Sequence, residues 1–231
     1  MAMVLTTIRQ VQIYLLMCAI NQSNKINQHN VMMTAMKLEK AMNTSQITKP
    51  LIIAAALAFF MLLTRGSHVL TAVSLPDASL VLFLLGGLLL KRWAWFAGFF
   101  GLATVIDFGA AAFDPAQGFC LTNGYWGLIP SYAALWLGGL WLSKQQDAFA
   151  NKNIVNYAAV GMFTSFVAFV ISTQTYYLFS GRFPAKGLIA SMQHGWEYLP
   201  SWMGFAAMYF AVVWLSVALL RSVKLMQVAK I

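Results

Sequence analysis

Charged residues are scarce in this sequence: they make up 9% of 231 residues, whereas 60% are hydrophobic. A soluble domain usually carries about 25% charged residues, so the composition argues against an ordinary water-soluble protein. The apolar residues gather in long runs from Leu51 onward, which is typical of a helical membrane protein that crosses the bilayer repeatedly. Alternation of apolar and polar residues is missing, so these runs predict helices rather than strands.

Cysteine is equally scarce, since Cys18 and Cys120 are too few for the disulfide framework of a small secreted protein. The sequence also lacks a P-loop, a Gly-x-Ser-x-Gly motif, a His-Glu-x-x-His motif and a Cys-x-x-Cys-His motif. These absences argue against ATP hydrolysis by this chain and against the hydrolase, metalloprotease and c-type haem classes. The net charge is +9, but the basic residues flank the apolar runs, as the positive-inside rule describes. We therefore do not expect nucleic acid as a partner.

The apolar runs predict an all-α membrane protein with six transmembrane helices. A short helix lying at the surface is also expected at residues 185–198. Residues 48–225 would form the membrane domain and 226–231 a short cytoplasmic tail. Residues 1–47 differ in composition and are expected to be a disordered leader, or a segment preceding a true start at Met42. The predicted transmembrane segments are residues 51–64, 76–90, 93–113, 125–142, 154–179 and 200–220.

The distribution of basic residues predicts that both termini lie in the cytoplasm. With that orientation, twelve of the 15 Lys and Arg residues lie inside, and only Arg65, Arg182 and Lys186 lie outside. The outer loops are then the first, third and fifth. They hold His68, Cys120 and His194, so we expect the chemistry of the protein at its outer face.

Cys120 is the first candidate for a functional residue. A free cysteine in a membrane protein is usually a small hydrophobic residue. Cys120, however, is predicted in a loop between Gly118 and Asn123, where a thiol can act as a nucleophile or a soft metal ligand. A structural zinc site needs four ligands, and no others stand at a recognisable spacing. One thiolate on a metal that brings its own ligands is easier to build.

Other candidates surround this loop in the predicted topology. Asp107 lies within an apolar run, where a carboxylate costs about 2.5–3.5 kcal/mol on insertion scales, so it should face a cavity or a partner such as a tyrosine hydroxyl. Tyr125 and Trp126 open the fourth predicted helix and belong either to the interfacial aromatic belt or to a surface that packs on a flat ligand. His194 has the same two alternatives as Tyr125 and Trp126, whereas His68 and Arg182 are either solvated or in contact with a ligand.

The first predicted helix carries small residues. Ala54 and Ala58 form a small-x-x-x-small pair, which lets another helix approach closely. Either this pair serves internal packing, or it forms a docking face for a partner subunit.

Together, these features resemble the substrate-binding membrane components (S components) of energy-coupling-factor (ECF) transporters. The order of Asp107, the segment 118–120 around Cys120, and the segment 123–126 with Tyr125 is similar to the cobalamin-specific BtuM group. The resemblance covers residues 48–225. It implies a multi-pass protein of the bacterial inner membrane that takes cobalamin from the outer face, with the Cys120 thiolate on cobalt.

The resemblance also implies partners and roles. Cobalamin supplies four equatorial nitrogens itself, so one thiolate completes the coordination. Tyr125 and Trp126 would cover the corrin ring, and Asp107 and Arg182 would bond its amide rim. A helical coupling subunit and two ATPases are the partners of such S components.

Three hypotheses remain open from the sequence. The first adds a reaction to binding: the thiolate would remove the upper axial ligand of cyanocobalamin, by labilising it or by helping to reduce cobalt. The second is an S component for another vitamin or a metal ion. The third is a small membrane redox enzyme that uses Cys120 as its nucleophile.

Overall fold

The computed structural model describes residues 48–65, 76–145, 148–183, 189–190, 193 and 195–228, with the backbone alone for residue 117 and for 224–228. These residues form helices, turns and short connections without a strand, which confirms the all-α prediction. The chain divides at Leu51 into two units. Of the first unit, residues 48–51 are described, and the packing reported below lies within the second, Ile52–Ile231.

Six helices in the described part of the chain follow the predicted segments closely. Four stretches are long and apolar enough to cross a membrane: Thr48–Arg65, Trp93–Phe113, Asn151–Phe179 and Trp196–Val223. The chain is therefore a helical membrane protein. The helices are α1 Thr48–Arg65, α2 Ser79–Leu89, α3 Trp93–Phe113, α4 Leu128–Leu142, α5 Ile154–Phe179 and α6 Leu199–Val228.

Helix α2 is the core of the fold. It has 11 residues, of which all but Leu89 are buried. An α-helix needs about 20 residues to span the hydrocarbon layer, so α2 is too short to face lipid along a full span. Because neighbouring helices enclose it, its length imposes no mismatch on the bilayer.

Helix α4 packs closely against α2 through glycines on both helices. A side chain at Gly87 would meet the backbone carbonyl of Trp136, and one at Gly139 would meet the backbone of Leu84. Trp136 is itself fully buried. Small residues let two helix backbones approach in this way, so the glycines of α2 serve internal packing.

The connections bring one end of several helices together. Arg65 at the end of α1 bonds Ser79 at the start of α2 and Asp107 in the last part of α3. It also bonds Tyr132 near the start of α4. The predicted surface helix is described only in part: residues 189–190, 193 and 195 are helical, and Trp196–Tyr198 form a 3-10 turn.

Candidate functional site

Arg65 is the centre of the polar contacts at this end of the molecule. Its side chain is 10% exposed. Its Nε donates to Oδ1 of Asp107 at 2.6 Å, and its Nη2 lies 2.6 Å from Oδ2 of the same carboxylate. This two-point geometry matches the planar fork of a guanidinium to a carboxylate. The ion pair joins the end of α1 to α3 across 42 residues of sequence.

The remaining nitrogen of Arg65 is anchored from the other side. Nη1 donates to the Ser79 hydroxyl at 2.7 Å and to the Tyr132 hydroxyl at 2.8 Å, and it lies 3.1 Å from Oδ2 of Asp77. Asp77 in turn accepts from the backbone N–H of Ser79 at 2.9 Å. We call these groups, together with Asp107 and Tyr125, the Arg65 cluster. The cluster provides hydrogen-bond partners for the Arg65 guanidinium, whose charge would be costly to bury alone.

Tyr125 connects the Arg65 cluster to the third loop. Its hydroxyl donates to Oδ2 of Asp107 at 2.8 Å, so Asp107 has both an arginine and a tyrosine hydroxyl as partners. Tyr125 does not open α4, as the sequence predicted, but lies in a 3-10 turn, Asn123–Gly127. That turn begins where the Thr122 hydroxyl accepts from the N–H of Gly124 at 3.3 Å.

The same turn is held against α5. Side chains at Gly124 or Gly127 would collide with Thr175 in the last third of α5. Glycine at both positions therefore lets the turn pack directly on that helix. Because α5 fixes the turn, the Tyr125 ring is buried while the next residue, Trp126, is 56% exposed.

Cys120 is the last residue of a preceding 3-10 turn, Pro115–Cys120. The carboxylate of Asp114 accepts from the N–H of Ala116 at 3.0 Å and caps this turn. Cys120 is a free, exposed cysteine. Partial burial of its sulfur by neighbouring groups, together with the charge of Asp107, raises the pKa of the thiol, whereas Arg182 and Arg65 lower it. The first effects prevail, so the pKa of the Cys120 thiol lies above its ordinary value.

Arg182 lies beside the same turn. Its guanidinium carbon is 3.9 Å from the centroid of the Phe119 ring, which is cation–π geometry. Phe119 also approaches Tyr176 of α5, with ring centroids 6.4 Å apart. We define residues 115–127 as the thiol loop; the Arg182 cation lies against its Phe119 ring, and the same ring contacts α5.

The structure thus brings most of the predicted site residues to one end of the molecule. Asp107 and Tyr125 are in contact, Trp126 packs edge-on to Tyr125 with centroids 6.0 Å apart, and the charges of Asp107 and Arg182 act on Cys120. His68 and His194 lie outside the described residues.

The predicted small-residue pair of α1 faces inward. Ala54 is 5% exposed and belongs to the hydrophobic core, and Ala58 is partly buried against that core. The small residues that α1 exposes are Ala55 and Ala56. This arrangement favours internal packing for the pair, while docking of a partner subunit stays a prediction.

The described residues contain no group of three or more His, Cys, Asp and Glu side chains that could hold a metal ion. Cys120 provides a single soft ligand, which suits a metal whose remaining positions are already filled.

Sequence reasoning missed Arg65, which it treated only as a charge in an outer loop. Two signals pointed to it. Arg65 directly follows an apolar run, and two carboxylates, Asp77 and Asp107, adjoin or interrupt other apolar runs. Because charges next to the bilayer core are rarely unpaired, an ion pair among these three was the natural expectation.

No protein-family model matches this chain, and no curated protein matches it either.

Proposed function

We propose that this chain is a membrane component for cobalamin uptake, which binds cobalamin at the outer face of a bacterial inner membrane with the Cys120 thiolate on cobalt. The observation that carries the proposal is the exposed, free Cys120 in a loop that adjoins Asp107, Tyr125 and Arg182. In the resembled group, aspartate, cysteine and tyrosine stand in the same order as Asp107, Cys120 and Tyr125.

The coordination chemistry supports cobalamin over a bare metal ion. The corrin ring fills four equatorial positions of cobalt, so the protein needs to supply only one axial ligand. Cys120 can supply it, whereas a bare ion would need further ligands. Because the raised pKa of the thiol favours its protonated form, coordination would release a proton, as metal binding to thiols generally does.

The surroundings of the thiol suit a large flat ligand with a polar rim. Phe119 and Trp126 are 53% and 56% exposed and offer apolar surface on either side of Cys120. Arg182 and the Asp107–Tyr125 pair offer hydrogen bonds at the edges. Apolar burial of the ring together with one coordinate bond would provide most of the affinity.

We also propose six transmembrane helices with both termini in the cytoplasm. Four helices are long enough to span by themselves, and the two shorter ones, α2 and α4, pack against each other through Gly87 and Gly139. The helix ends that meet at the Arg65 cluster belong to the first and third connections, which the positive-inside rule assigns to the outer face. Lys91 and Lys144 follow the opposite ends of α2 and α4.

Purification from cells grown with cobalamin tests the proposal directly. The wild type should copurify with cobalamin and be coloured, and Cys120→Ala should lose the colour or shift its visible spectrum. Cys18→Ala is the matched control, since it removes the other thiol of the chain, and it should remain coloured. A wild-type protein that stays colourless with cobalamin in excess would refute the proposal.

A ligand-exchange reaction follows from the same coordination. The Cys120 thiol would lose its proton to solvent and displace the lower base of cyanocobalamin, so that a Co–S bond replaces a Co–N bond. The thiolate would weaken the opposite Co–C bond, and cyanide would leave with its own electron pair and be replaced by water while cobalt stays Co(III). Incubation of the purified protein with cyanocobalamin should shift the visible spectrum and release one cyanide per protein. An equal shift with Cys120→Ser would exclude this reaction.

Transport would require release on the inner side. In S components, a helical coupling subunit and two ATPases drive that step, and α1 would be the docking helix. Copurification with such a coupling subunit tests this part separately from cobalamin binding.

A further inference from the structure

The Asp107 carboxylate has little capacity left for a ligand. Its side chain is 19% exposed, and both oxygens are bonded by Arg65 at 2.6 Å. Tyr125 adds a third bond, to Oδ2. A carboxylate offers about four acceptor positions, so one remains, and the adjacent guanidinium matches the negative charge. Asp107 therefore cannot act toward a ligand as a free carboxylate.

The Tyr125 hydroxyl has no proton left to donate to a further group. A phenol has one proton to donate, and the proton of Tyr125 goes to Asp107. Toward any further group the hydroxyl can only accept a hydrogen bond. The Tyr125 side chain is 5% exposed, and Thr104 is a further hydrogen-bond partner of its hydroxyl, so protein groups enclose this oxygen.

We propose that Arg65 is the positioning residue of the site: it matches the charge of Asp107 and so fixes Tyr125, against whose ring the exposed Trp126 packs. The effect on ligand binding rests on the proposed function, in which Trp126 packs on the corrin ring. The positioning part concerns the protein alone.

The geometry explains why the residue is arginine. Nε and Nη2 hold Asp107, while Nη1 is fixed by Ser79 and Tyr132 from the side of α2 and α4. A lysine has one ammonium group and cannot bond both sides in fixed directions. Arg65→Lys should therefore keep the charge but lose the orientation of Tyr125.

Trp126 gives a readout of this orientation without any ligand. Its ring is edge-on to Tyr125 at 6.0 Å, so its fluorescence depends on where Tyr125 lies. The Trp126 signal is obtained in detergent as the difference between each protein and its Trp126→Phe counterpart. Arg65→Gln and Arg65→Lys should change this emission. The double variant Arg65→Gln/Asp107→Asn should bring it back toward wild type, since the amide oxygen that replaces the carboxylate can accept from Tyr125 with no unmatched charge.

The control is Arg221→Gln, which removes an exposed arginine whose Nη1 bonds the carbonyl of Phe149 at 3.4 Å, away from the site. It should leave the Trp126 signal as it is. If the Arg65 variants fold and show unchanged Trp126 emission, the positioning role is refuted, whatever ligand the protein binds.

Cobalamin titration provides the second measurement. Loss of a group that orients a ligand-binding residue typically costs 10- to 100-fold in affinity, so Arg65→Gln should bind about tenfold more weakly or worse. The double variant should bind more tightly than Arg65→Gln. A double variant that binds no better than the weaker single variant would show that Arg65 only supports the fold.

The two measurements separate the proposals. A wild type that does not bind cobalamin, with Trp126 emission that changes and recovers as described, refutes the proposed function and supports positioning of Tyr125 by Arg65. Tight cobalamin binding by all Arg65 variants refutes the inference and leaves the proposed function intact.

Discussion

The guanidinium carbon of Arg182 lies 3.9 Å from the centroid of the Phe119 ring, immediately before Cys120 in the chain. This contact joins the connection after α5 to the thiol loop and places a positive charge near the sulfur. The charge favours the thiolate, but it does not prevail, because burial and Asp107 raise the pKa of Cys120. Arg182 therefore reduces the rise in the pKa of Cys120 that burial and Asp107 produce.

The first prediction concerns the pH dependence of thiol alkylation. Thiolate, not thiol, reacts with iodoacetamide, so a raised pKa means that the rate should keep increasing above pH 9, the ordinary pKa of the group. Arg182→Gln removes a charge that lowers the pKa, so its rate profile should move to still higher pH. The rates are measured in detergent on a Cys18→Ser background, so that the chain carries a single thiol.

Arg221→Gln is the control for that experiment, because it also removes one positive charge but from an exposed position on α6. Its profile should coincide with that of the parent. A plateau of the parent rate below pH 8 would contradict the prediction, since it would show a thiol more acidic than an ordinary cysteine.

The helices themselves could be predicted from the sequence, whereas the contacts between helices could not. An apolar run with charged residues at its ends indicates a helix, and each of the six segments contains an α-helix. The second helix begins at Ser79 and the fourth at Leu128, three residues later than predicted in each case. The central position of α2 has no such signal, because a helix enclosed by protein and one facing lipid are equally apolar. Likewise, 42 residues separate Arg65 from Asp107, and composition alone does not show which charges meet.

Local chemistry explains why the start of α4 was predicted too early. Tyr125 and Trp126 continue the apolar run that follows, but Thr122 accepts a hydrogen bond from Gly124 and starts a 3-10 turn that includes both residues. The close contact of Gly127 with Thr175 then fixes the turn against α5. The contact between Asp107 and Tyr125 depends on this turn, so the site residues could be named from the sequence but their bonding could not.

The second prediction concerns the glycines between α2 and α4. Gly87→Ala and Gly139→Ala would each place a methyl group against backbone atoms of the other helix. Backbone cannot move aside as a side chain can, so each substitution should destabilise the protein by about 1–3 kcal/mol, the usual cost of overpacking. Thermal unfolding in detergent measures the effect.

Gly101→Ala is the matched control, because Gly101 is also helical and has open space around it. Alanine is the better helix former by about 1 kcal/mol, so this variant should be as stable as the wild type or slightly more stable. Equal stability of all three variants would show that α2 and α4 do not pack as closely as described.

The third prediction concerns the membrane face of the thiol loop. A maleimide that cannot cross the membrane should label Cys120 in intact spheroplasts of the Cys18→Ser variant, because the loop is proposed to face outward and the cysteine is exposed. A cysteine placed at Lys144, beyond the opposite end of α4, should be labelled only after the membrane is opened. The Lys144→Cys variant also carries Cys18→Ser and Cys120→Ser, and labelling of both positions from the same side would refute the topology.

The fourth prediction separates packing from docking on α1. Ala54 is 5% exposed within the core, so Ala54→Leu adds three carbons where there is no room and should lower the stability of the isolated protein by about 1–3 kcal/mol. Ala55 is exposed, so Ala55→Leu should unfold at the wild-type temperature. Loss of uptake in Ala54→Leu would then reflect damage to the fold, whereas loss of uptake in a stable Ala55→Leu protein that still binds cobalamin would show that a partner subunit docks on the exposed face of α1. If Ala54→Leu is as stable as Ala55→Leu, the assignment of Ala54 to the core is wrong.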